Sequence, residues 1–94
     1  MNKPVIRADA VENVVRAIVT RAASDYRSIF RRRLYEKPIT NSMEVEFNDL
    51  EEFFESEWFT FLTNMDGSYV MLKIEDDERK KKRKKLKIEN EILI

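Results

Sequence analysis

The chain has 94 residues, with 18 Lys/Arg balanced by 18 Asp/Glu and with no Cys and no His. That length suits one small domain with a few kcal/mol of net stability, and the missing side chains exclude disulfides, thiolate nucleophiles, Cys/His zinc sites and imidazole proton transfer. The expectation is a binding protein with no catalytic residue, no metal and no cofactor.

The charges are sorted along the chain. Residues 1–37 carry nine Lys/Arg against four Asp/Glu, residues 38–78 one against twelve, and residues 79–94 eight against two, so the blocks run +5, −11 and +6. Like charges packed this densely must meet the opposite sign, inside the fold or on a partner. The longest uncharged run is too short for a membrane span, and Arg7, Asp9 and Glu12 sit where a secretory signal needs apolar residues. A cytoplasmic protein is expected.

The first predicted element is a long helix. Asp9 with Glu12 has capping-box spacing, which puts the start near Ala10. Val11, Val14, Val15, Ile18, Ala22, Tyr26, Ile29 and Phe30 recur at three- and four-residue steps, with Arg16, Arg21, Arg27 and Arg31 largely beside them. Pro38 disfavours a helical residue ahead of it, so the helix should end near Glu36.

A second helix should follow a short connection, capped by Asn41 with Glu44 or by Asn48 with Glu51. Its aromatic seam is Met43, Phe47, Leu50, Phe54, Trp58, Phe61 and Met65. So short a link implies an antiparallel pair, bringing Arg27, Arg31, Arg32 and Arg33 opposite Glu44, Asp49, Glu51 and Glu52. Asp66-Gly67, which holds the only glycine, either caps a third helix or turns a β-hairpin of Phe59–Thr63 with Tyr69–Ile74, an α+β alternative across 58–74. Acid-before-base pairs at the four-residue interval (Glu75–Arg79, Asp76–Lys80, Asp77–Lys81, Glu78–Lys82) favour the helix and extend it. The expected organisation is an all-α domain over 1–74 and a charged helical extension or tail over 75–94.

Three surfaces carry functional readings. Arg79, Lys80, Lys81, Lys82, Arg83, Lys84 and Lys85 form an unbroken basic run able to displace counterions from a phosphate backbone; the plain alternative is a solvated helix end. Glu51, Glu52 and Glu55 could hold a divalent cation, imitate a phosphate backbone toward a basic groove on another protein, or simply face solvent beside the first helix. Phe53-Phe54 and Trp58-Phe59 are adjacent pairs that one hairpin can hardly bury in full, so Phe53 and Phe59 join those carboxylates as candidate partner contacts, with a second copy of the chain among the candidate partners. Hydroxyls, lysines and carboxylates are present, but no helper base or glycine-rich phosphate loop accompanies them.

The stretches Ala17-Ile18-Val19 through Asp25-Tyr26-Arg27, Phe53-Phe54-Glu55-Ser56-Glu57-Trp58-Phe59, Leu62-Thr63 and Asp66-Gly67-Ser68-Tyr69 resemble small proteins of unknown function borne on prophages and integrative elements of Gram-positive bacteria. The resemblance spans residues 10–73 and implies a helical fold and a mobile-element setting, with no active site; the segment 75–94 departs from it. The sequence thus points to an accessory or regulatory factor on a nucleic-acid-handling assembly, its hairpin touching protein and its basic tail nucleic acid. The rival is a protein-only inhibitor of counter-defence type that blocks a basic groove with its acidic helix.

Overall fold

The computed structural model describes residues 8–92, with side chains from Ala10 to Glu91. Four helices and no strand occur among them: α1 (Ala8–Leu34), α2 (Asn41–Glu55), α3 (Glu57–Thr63) and α4 (Gly67–Ile92). The fold is all-α, and the hairpin alternative across 58–74 is excluded because both of its arms are helical. Asp9 falls inside α1 rather than ahead of it, and its side chain, like Leu93 and Ile94, lies outside the described residues.

α1 closes with a Schellman turn. The amide of Lys37 donates to the carbonyl of Arg32 at 2.8 Å and that of Glu36 to Arg33 at 3.1 Å, with Glu36 left-handed at φ 54° where glycine is the usual occupant. α2 then turns back along α1. Its cap is Thr40, whose hydroxyl accepts from the Met43 amide at 3.1 Å, and neither Asn41 nor Asn48, since both of these already lie within the helix.

The aromatic seam expected to run as one helix through Met65 is cut at Ser56. There the backbone is extended (φ −72°, ψ 150°), and the hydroxyl donates to the Phe53 carbonyl at 2.6 Å while accepting from the Phe59 amide at 3.1 Å. One residue therefore terminates α2 and caps α3. The break changes which aromatic residues go inside: Phe59 is fully buried, while Trp58 is 62 % and Phe61 79 % exposed. Phe59 packs edge-on against Phe54 at 5.2 Å and Phe53 at 5.6 Å, and Tyr26 stacks on Phe47 at 4.6 Å, arrangements worth about 0.5–1.5 kcal/mol each beyond their burial. Ala22, Ile29, Met71 and Ile74 complete the core from α1 and α4.

α4 begins at Asp66, whose carboxylate accepts from the Ser68 amide at 3.0 Å, as the sequence led us to expect. Gly67 is needed for space rather than for its dihedral freedom. A Cβ there would sit 1.6 Å from the carbonyl oxygen of Phe54, so the first turn of α4 rests directly on the last turn of α2. From this joint α4 runs parallel to α1 and unbroken through Ile74–Glu75, with Tyr26 meeting Glu75, Arg31 meeting Glu78, and Leu34 meeting Lys82.

Because α1 and α4 are offset lengthwise, each overhangs the core. The core contacts of α1 begin at Val19, and the side chains of α4 from Arg83 to Glu91 are exposed. The result is a rod of 74 × 29 × 20 Å whose radius of gyration, 17.8 Å, exceeds the roughly 12 Å of a compact chain this long. No described helix is long and apolar enough to cross a membrane.

Candidate nucleic-acid interface

The basic end of the rod is organised by a carboxylate. Glu78 continues the buried stripe Met71–Ile74 and is only 1 % exposed. Arg31 donates from Nε and Nη2 to its two oxygens, both at 2.9 Å, Arg27 adds Nη1 at 2.9 Å, and Lys81 lies 3.6 Å away. The forked hydrogen bonding by Arg31, opposed by burial and reinforced by Arg27, holds the Glu78 carboxyl down at about 2. Nearby the Tyr26 hydroxyl donates to Glu75 at 2.9 Å, and burial followed by that hydrogen bond pushes its titration upward.

These contacts correct two expectations of charge pairing. Arg27 and Arg31 turn to Glu78 on α4, Arg33 lies over the Phe47 ring at 4.2 Å and Arg32 donates to the Pro38 carbonyl at 3.2 Å; among the described residues no cation pairs with a carboxylate of α2. On α4, Glu75–Arg79 (3.5 Å) and Asp76–Lys80 (3.0 Å) form, whereas Asp77 pairs backwards with Lys73 at 3.9 Å. Lys82, in place of reaching Glu78, donates to the Leu34 carbonyl at 2.7 Å and so satisfies an open acceptor at the negative end of α1.

The seven cations of the run are therefore unequal. Arg79 lies over Phe30 at 5.4 Å besides pairing with Glu75, and Lys80, Lys81 and Lys82 have the partners given above. Arg83, Lys84 and Lys85 form no ion pair among the described residues. Lys85 leans over the Tyr35 ring at 5.4 Å and, with Ser28, Arg31, Arg32, Tyr35 and Lys37, borders a cavity of about 330 Å³. Four cations and two hydroxyls line this cavity with no carboxylate, which is the donor set a phosphate group requires. The sequence identified Lys85; it did not associate Ser28, Arg32, Tyr35 and Lys37 with it, because only the parallel packing of α4 on α1 brings them together.

The candidate partner contacts divide as well. Glu52 and Glu55 are exposed, Glu51 and Phe53 are half-buried, and Phe59, inside the core, cannot meet a partner. Among the described residues no group of three or more carboxylates converges, so Glu51, Glu52 and Glu55 do not make a cation site. Trp58 and Phe61, expected on the aromatic seam of the second helix, stack on each other at 6.0 Å on the surface.

Compared with known proteins, the chain matches no family, no curated protein and no solved structure.

Proposed function

We propose that the protein is a non-enzymatic accessory factor that docks on a nucleic-acid-handling assembly and lays the basic end of its rod on a phosphate backbone. The observation that carries this reading is the convergence of Arg32 from α1, Lys37 from the turn that closes it and Lys85 from α4 around Tyr35, in a cavity lined by no carboxylate. Arg83 and Lys84 extend the same charge along α4. About five phosphates neutralised by these residues would give binding that weakens by roughly two to three orders of magnitude between 50 and 200 mM salt, with little sequence preference. The prophage-like sequence pattern adds a mobile element in a bacterial cytoplasm as the setting.

The test is fluorescence anisotropy with labelled DNA and RNA across a salt series. Replacing Arg32, Lys37 and Lys85 by Gln should flatten the logarithmic salt slope by about three, one per cation, with the helical spectrum unchanged. Equal affinity and slope for the variant would sink the reading.

A second reading is favoured by one observation. The exposed carboxylates of α2 and α3, Glu44, Glu46, Asp49, Glu52, Glu55 and Glu57, have no cationic partner among the described residues, so this side remains available to block a basic groove on another protein. Capture of a nuclease in the absence of nucleic acid, lost on Glu52→Lys with Glu55→Lys, would establish it over the first.

A further inference from the structure

The end opposite the basic cavity is unfinished. α1 projects beyond the core with Val11, Val14 and Ile18 outward, and α3 presents Trp58 and Phe61, followed by Met65; these six residues are between 45 and 79 % exposed. Their surfaces adjoin. Val11, Val15 and Val19 of α1 face Phe61, Leu62 and Met65 across a groove of about 570 Å³, and Trp58 with Phe61 borders the next depression along α3. Ile18 opens a third, between α1 and Leu50. A soluble chain rarely leaves so continuous an apolar face uncovered.

We infer that this face is covered by a second copy of the same chain, paired about a two-fold axis. Three observations select a copy of itself over another partner. First, the rim carries both signs: Glu12 and Arg16 on α1, where Arg21 is already paired with Asp25 at 3.8 Å, and Glu55 and Glu57 at the junction of α2 and α3. A two-fold axis can set Arg16 of one copy against Glu57 of the other, and the reverse, which is the condition for a self-complementary interface. Second, the patch holds both a knob and a hole: Phe61, at 79 % exposure, stands beside the α1–α3 groove, and each copy can fill the groove of its mate. Third, the six exposed side chains present roughly 700 Å² per chain, near the ~800 Å² that each partner contributes to a standard stable interface.

The size of the protein points the same way. A chain of 94 residues has a small core, to which burying the apolar end against a second copy would add. Pairing through the apolar end would leave both basic ends pointing outward. This inference is independent of what those basic ends bind.

Sedimentation equilibrium of the full chain should give twice the mass of one chain. Phe61→Asp should raise the dimer dissociation constant by roughly a hundredfold or more, as for a central aromatic anchor, while the helical spectrum stays the same because Phe61 takes no part in the core. Arg16→Glu and Glu57→Arg should each weaken pairing, and the double variant should recover most of it. A wild-type chain that sediments as a monomer overturns the inference. So does a dimer whose affinity is insensitive to Phe61→Asp, or one broken instead by Lys85→Glu at the basic end.

Discussion

At the basic end of the rod, Glu78 draws Arg27 and Arg31 onto α4, Lys82 closes the last turn of α1 and Tyr35 sits under two lysines. At the other end, Val11, Val14 and Ile18 run exposed along a helix, and Trp58 stacks on Phe61 in the open. The same chain pairs the cations nearest the core at one end with its own side chains and leaves the apolar residues of the other end exposed. The difference teaches that zero net charge is a poor guide to what a surface needs. Charges within reach of an internal partner are neutralised, and what stays open is set by the lengthwise offset of the helices.

The comparison can be broken at its joint. Gly67→Ala should cost more than about 4 kcal/mol in chemical denaturation, because a methyl group 1.6 Å from the Phe54 carbonyl oxygen forces α4 off α2 and disorganises both ends at once. A tolerated alanine would mean that the two helices do not meet there. Next in size is a contrast between sequence neighbours. Phe59→Ala should cost about 3–4 kcal/mol, while Trp58→Ala, measured dilute enough for a monomer, should stay within about 0.5 kcal/mol.

Glu78→Gln should cost about 2–3 kcal/mol, at the lower end for a buried pair since Arg27 and Arg31 are partly solvated and can turn outward. The same carboxylate predicts a pH response. Its folded-state value of about 2 lies below the ordinary one near 4.3, so its contribution, about 3 kcal/mol, is complete above that ordinary value and is lost as pH falls toward 2. Urea midpoints followed from pH 6 downward should drop over that window in the wild type, and less in Glu78→Gln. The smallest effect is a gain. Glu36→Gly relieves a left-handed backbone and should add up to about 1 kcal/mol to the thermal stability of the basic end.

Much of the architecture was legible because it follows from spacing. The three- and four-residue rhythm of Val15, Ala22, Tyr26 and Ile29 marks α1, and Asp66 announces α4. The break at Ser56 was not legible, since Phe54, Trp58 and Phe61 keep their rhythm across it. Burial of Phe53 and Phe54 together with Phe59 won over continuity of the helix. The clue available was Ser56 itself, a good cap in mid-seam. For the basic end, local pairing rules assigned Glu78 to Lys82, four residues away. Its true partners lie 47 and 51 residues upstream, and the signal that was present is its place on the stripe Met71–Ile74–Glu78, a carboxylate where an apolar residue belongs. Ser28, Tyr35 and Lys37 carried no signal, because their association with Lys85 is a product of packing alone.

Glu78 also acts as a ruler. Sliding α4 along α1 by one turn, about 5.4 Å, would bring either Ile74 or Lys82 to the fork of Arg27 and Arg31, giving two stranded cations in one case and three mutually repelling ones in the other. Neither slip is tolerated, so the single acid meters how far the cationic tip reaches past the body, and hence how many backbone repeats of a polyanion it can span.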